Sequence, residues 1–132
     1  MVPIRVLIAD PDQALLTSYR DFLSQEGFQV ATASTGLECV AELRTFAPDV
    51  LVLEPELPWG WGEGVLAVMH EGADVPRVPV MLLSARPFSE GGLSPAAFNI
   101  NEYQVKPLPP HQLANRIRSL CDQVAPCGGF FG

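Results

Sequence analysis

The chain has 132 residues, 15 acidic and 8 basic side chains and a formal net charge of −7. That length supports one domain with a real core, and 48% hydrophobic with 17% charged residues excludes a disordered chain. The acidic balance argues against a nucleic-acid partner or an anionic membrane surface, both of which select basic clusters.

Ile4 to Ala9 is short, apolar and β-branched, and it stops at Asp10-Pro11-Asp12. It reads as a buried strand ended by turn chemistry. From Gln13 the period becomes helical through Leu15, Leu16, Tyr19, Phe22, Leu23 and Glu26, with Asp12 as N-cap and Gly27 as the stop. Phe28 to Thr32 alternates as a second strand. Thr35-Gly36-Leu37-Glu38 has capping-box spacing, and Leu37, Val40, Ala41 and Leu43 carry a helix closed by Pro48. Val50-Leu51-Val52-Leu53 is apolar throughout, which predicts a strand buried on both faces. A short helix over 65–70, a fourth strand over Val80-Met81-Leu82-Leu83 and a fifth near Tyr103-Gln104-Val105 follow. The last helix opens at Pro109-Pro110 and runs through Leu113, Ile117 and Leu120. Pro87, Gly91, Gly92 and Pro95 interrupt the helix due before the fifth strand, which is expected to be short, irregular or absent. Residues 1–124 read as one domain and 125–132 as a flexible tail or linker start.

Strands alternating with helices predict an α/β fold with a parallel, doubly wound sheet. Sites in such sheets lie beyond the carboxyl ends of the strands. The residues just there are Asp10 and Asp12, Glu54, Ser84 and Lys106, which is also the sole lysine. Two carboxylates, a hydroxyl and an ammonium suit a phosphoryl group and a hard divalent cation. Trp59 and Trp61 follow on a glycine-rich loop, as a protein-interaction pair or as a cover over the pocket. His70 and His111 read as solvated helix residues. Cys39, Cys121 and Cys127 follow no metal spacing and read as thiols of a reducing, cytoplasmic compartment.

Over residues 3 to about 124 the chain resembles a response-regulator receiver domain of two-component signalling. The resemblance is carried by Val6-Leu7-Ile8-Ala9-Asp10, Gly36-Leu37-Glu38, Pro48 to Glu54, Leu57-Pro58, Val80 to Ala85, and Tyr103-Gln104-Val105-Lys106-Pro107-Leu108. It implies a flavodoxin-like sheet of order 2-1-3-4-5. It also implies phosphorylation by a histidine kinase on an aspartate after the third strand, with magnesium on an acidic pair after the first. By this resemblance Ser84 and Lys106 are the residues that read the phosphoryl group, Tyr103 is the aromatic switch, and the Lys106–Pro107 peptide is cis. The face made by the helix before the fifth strand, that strand and the last helix is the one whose partner affinity changes.

Two positions depart from the family pattern. Glu54 stands at the phosphoacceptor position, and Pro11 stands at the second acidic position, leaving Asp10 as a weak metal ligand. An extra methylene displaces the carboxylate by about 1.5 Å, and about 1 Å of misplacement can cost roughly 100-fold in rate. Pro11 weakens magnesium, so no cofactor and no enzymatic turnover are expected. The expectation is a degenerate receiver, a phosphorylation-independent signalling and protein-interaction module. Its partner would be an effector, a kinase, an output domain or a second copy of the chain. Two rivals stay open: an active phosphoacceptor with an unusual residue, and a receptor for a small ligand in the Glu54–Lys106 pocket. Glu54 itself has two possible fates, permanent imitation of the phosphorylated state or a simple ion pair with Lys106.

Overall fold

Continuous apolar runs can be buried on both sides only if helices cover both faces of the sheet, and the computed structural model has that arrangement. It describes residues 2–58, 61–71, 74–86 and 100–124. The elements are β1 (Arg5–Ala9), α1 (Gln13–Gln25), β2 (Gln29–Ala33), α2 (Gly36–Thr45), β3 (Val50–Leu53) and α3 (Trp61–Glu71). Then come β4 (Val80–Ser84), β5 (Glu102–Val105) and α4 (Pro110–Val124). All five strands are parallel, in the order β2-β1-β3-β4-β5. The doubly wound, flavodoxin-like sheet is therefore as expected, and the Lys106–Pro107 peptide is cis. The interrupted helix before β5 and the tail fall largely or wholly on residues outside those described, as does Trp59.

Side-chain alternation divides the core into two. Val6, Ile8, Val50, Val52, Met81 and Leu83 face α1 and α4, packing on Leu16, Leu23, Leu113, Ile117 and Leu120. Leu7, Leu51, Leu53, Val80 and Leu82 face the other way, onto Cys39 and Leu43 of α2 and Val65, Leu66 and Met69 of α3. Strands β1 to β4 therefore each contribute residues to two separate cores, one under each helical layer, whereas β5 adds only Tyr103, on the α2–α3 side.

The helix ends follow the sequence signals closely. The Asp12 side chain accepts from the Leu15 amide at 3.2 Å, so it caps α1. At the other end Gly27 takes φ +95°, and the Phe28 amide bonds to the Leu23 carbonyl while Gly27 N–H bonds to Ser24. This is a Schellman ending with its apolar contact, because Phe28 and Leu23 are buried together. At α2, Thr35 Oγ1 accepts from the Glu38 amide at 3.1 Å. Glu38 reaches back one residue further than a capping box requires, to the amide of Ser34 at 2.8 Å.

Two expectations need correction. Leu37 is 71% exposed and does not belong to the inner stripe of α2, which is Gly36, Cys39 and Leu43. The thiol of Cys39 fills the place the pattern gave to leucine, and burial pushes its pKa up to about 12. Helix α3 begins four residues earlier than the apolar pattern, at Trp61 rather than Val65, because Gly62 and Gly64 hid its first turn.

The end of α2 holds a strained residue. Ala47 adopts φ +53°, the left-handed region where a Cβ costs about 1–2 kcal/mol. Glycine removes that strain but gives back about 0.5–1 kcal/mol in unfolded-chain entropy. Ala47→Gly should therefore raise stability slightly, by about 0.5 kcal/mol. Urea denaturation checks this, and a clear loss of stability would contradict it.

Candidate functional site

Parallel, in-register strands end level with one another, and that is what assembles the site. Ala9 is paired with both Ala33 and Leu53, and Ser84 with Val105, so the residues after them emerge together. Backbone bonds fix the next step. The Asp10 amide donates to Ala33 (2.9 Å), the Glu54 amide to Ala9 (2.9 Å) and the Lys106 amide to Ser84 (2.8 Å).

At the centre stands the Lys106 ammonium. Its Nζ lies 2.7 Å from Asp10 Oδ2 and 2.8 Å from Glu54 Oε1. The two carboxylates are nearly buried, with side-chain exposures of 3% and 7%, while Lys106 keeps 19%. Burial works against the ammonium, but the hydrogen bonds to Asp10 and Glu54 outweigh it, and the lysine pKa is raised above its usual 10.5. The remaining oxygens are also engaged. Asp10 Oδ1 accepts from the Asp12 amide at 2.9 Å, and Glu54 Oε2 from the Glu56 amide at 3.0 Å. Two carboxylates and one ammonium leave the cluster with one formal negative charge.

Ser84 and Tyr103 both bond to the Arg86 backbone. Ser84 is buried at the end of β4, and its Oγ accepts from the Arg86 amide at 3.1 Å. Tyr103 is half-buried on β5, packs against the α2–α3 side core and donates its hydroxyl to the Arg86 carbonyl at 2.9 Å. Beside Glu54 an open cleft of about 240 Å³ is lined by Pro11, Glu54, Glu56, Ala85 and Arg86. Trp61 opens α3, and nothing is described of its side chain. His70 and His111 are exposed, consistent with solvated helix positions. Among the described residues no three His, Cys, Asp or Glu side chains gather as a metal-ligand set. Among those residues, too, no helix is long and apolar enough to cross a membrane.

Sequence reasoning missed three participants. Glu56 and Arg86 form an ion pair across the rim of the cleft, Nε to Oε2 at 2.7 Å. Each lies two residues beyond a strand-end position, Glu54 or Ser84, so the same topological rule would have reached them had it been extended past the first residue of each loop. Tyr19 is the third, a core residue of α1 whose hydroxyl donates to the Leu108 carbonyl at 2.7 Å. Burial raises its pKa; the nearby Lys106 charge lowers it and Asp10 raises it, by lesser amounts.

Comparison with known proteins places this geometry. The response regulator receiver domain family matches residues 6–118. The transcriptional regulatory protein TrcR of Mycobacterium tuberculosis is 34% identical over 118 residues, which is 89% of this chain and 45% of that protein. The response regulator MprA of Mycobacterium sp. (strain KMS) is 28% identical over 128 residues, 97% of this chain and 55% of that protein. The chain thus spans about half the length of these relatives. Among solved structures, a response regulator receiver domain protein from Methanospirillum hungatei superimposes with a TM-score of 0.82 at 24% identity, covering 92% of this chain and 96% of that one. This last likeness bears on the fold alone, whereas the family match covers strands, loops and site positions together. The chain belongs to the response regulator receiver domain family of two-component signalling.

Proposed function

We propose that this receiver is an atypical one, a phosphorylation-independent interaction module. The observation that supports this reading is the closed triad of Asp10, Lys106 and Glu54. Glu54 occupies the phosphoacceptor position, and its longer side chain already delivers a carboxylate oxygen to the lysine that would otherwise meet an incoming phosphoryl group. For Glu54 to act as a nucleophile it must leave that ion pair, and the half-buried ammonium then keeps only Asp10 as partner. That loss adds to the displacement of the attacking oxygen by one methylene.

A resident magnesium ion does not suit the same residues. Both oxygens of Asp10 and both of Glu54 have protein donors, and Lys106 already supplies the positive charge a cation would bring. Pro11 offers no side-chain ligand where a second carboxylate would stand, and Asp12 is spent on capping α1. Of the two fates open to Glu54, the geometry favours the simple ion pair. Its second oxygen turns to the Glu56 amide, and Ser84 Oγ turns to the Arg86 amide.

In this reading the domain signals by docking to a protein partner, an effector, kinase or output domain, without a covalent switch at Glu54. The test is incubation with acetyl phosphate and magnesium, followed by intact-mass measurement. The unmodified mass is expected throughout. A stable gain of one phosphoryl group that disappears in Glu54→Gln would overturn the reading.

A further inference from the structure

We propose that Tyr19 is a positioning residue for Lys106. It would hold the turn after β5 so that the ammonium reaches both carboxylates at once. This stands on the geometry of the pocket and does not depend on whether Glu54 accepts a phosphoryl group.

The turn in question is Lys106-Pro107-Leu108-Pro109. Two of its four residues are prolines and have no N–H, so the segment is poor in the backbone donors that normally fix a loop. At its start the Lys106 amide is bonded to the Ser84 carbonyl at 2.8 Å. At its end the Pro109 carbonyl accepts from Gln112 and Leu113, both at 3.0 Å, which ties it into α4. Between these anchors the Leu108 carbonyl accepts from the Tyr19 hydroxyl at 2.7 Å. A side chain from α1, 89 positions away, thus does what a backbone donor would do elsewhere.

The ring is placed for this task. Tyr19 is only 4% exposed and belongs to the same core as Leu108, Leu113 and Ile117. A phenylalanine would fill that core space as well, so packing does not explain the hydroxyl. The hydroxyl is explained by a buried carbonyl that needs a donor. Lys106 is two residues from that carbonyl, and its Nζ must lie within 2.7–2.8 Å of two oxygens from different loops. A turn free to shift by about 1 Å would lose at least one of them.

The single lysine makes the proposal measurable. Lys106 acetylation by an N-hydroxysuccinimide ester is followed by peptide mass spectrometry, with the α-amino group as internal reference. Wild type is compared with Tyr19→Phe and with Ile117→Val, a conservative change in the same core. The expected result is several-fold faster acetylation of Lys106 in Tyr19→Phe and the wild-type rate in Ile117→Val. Equal rates in Tyr19→Phe and wild type would overturn the proposal, as would equal acceleration by Ile117→Val, which would mark a general loosening of the core. Should Tyr19→Phe fail to fold, Tyr19→Met, apolar and flexible, takes its place with the same two outcomes.

Discussion

Replacing Lys106 with methionine is expected to cost about 3 kcal/mol at neutral pH, enough to lower the melting temperature by roughly 10 °C. The reason is the burial of its partners. Asp10 and Glu54 expose 3% and 7% of their side chains, and without the ammonium two carboxylates face each other out of water. Two like charges held this close out of water repel strongly. Glu54→Gln should rescue the variant, because it removes one of the two facing charges. The double variant Glu54→Gln, Lys106→Met is therefore expected to be more stable than Lys106→Met alone. Denaturant unfolding of the four proteins gives the coupling energy, and a loss below about 1 kcal/mol for Lys106→Met would show that the ion pairs contribute little.

Glu54→Asp combined with Pro11→Asp should create the phosphotransfer chemistry that the natural chain is expected to lack. Aspartate withdraws the carboxylate by one methylene, about 1.5 Å, from Lys106 Nζ and reopens room for a phosphoryl group between them. That correction alone is worth roughly 100-fold in rate. Aspartate at position 11 adds a second hard oxygen ligand beside Asp10, at an exposed position on the edge of the cleft. Losing the proline frees the unfolded chain and costs at most about 1 kcal/mol, so the fold should survive. The double variant is expected to gain one phosphoryl group from acetyl phosphate in the presence of magnesium and none when the metal is chelated. Each single substitution should give less. A folded double variant that stays unmodified would mean that something beyond these two positions blocks the chemistry.

Much of the fold was legible because its strands are fully buried. Runs such as Val50 to Leu53 and Val80 to Leu83 cannot be covered on both faces except between two helical layers, and that requirement leads to the parallel sheet. Helix ends were equally readable at Asp12, Gly27 and Thr35, where local hydrogen bonding decides the outcome. What failed did so where tertiary context overrode local preference. Leu37 looks like core but is exposed, and the inner stripe of its helix takes Cys39 instead. The glycines at the start of α3 concealed a helix that its neighbours stabilise.

The site was legible as a set of strand-end positions, since topology alone brings Asp10, Glu54, Ser84 and Lys106 to one edge. The direction of each oxygen was not. Sequence spacing cannot say that Glu54 divides its oxygens between Lys106 and the Glu56 amide, or that Ser84 faces the Arg86 amide. Nor does any periodic pattern reveal that the Tyr19 hydroxyl serves a carbonyl 89 positions later. Those contacts depend on side-chain rotamers and loop paths.

Lys106 is already neutralised from within, by Asp10 and Glu54 together. NMR on protein labelled at lysine follows the protonation state of that ammonium. With one lysine in the chain, one side-chain resonance reports it. The two ion pairs raise its pKa, so their stabilising contribution is fully present below the ordinary lysine value and is lost as pH rises through the raised one. At pH 10.5, the ordinary value, Lys106 in the folded protein is predicted to be more than half protonated, and in Glu54→Gln that fraction should fall. A resonance that is half deprotonated or more at that pH in the folded wild-type protein, and unmoved by Glu54→Gln, would contradict the closed triad.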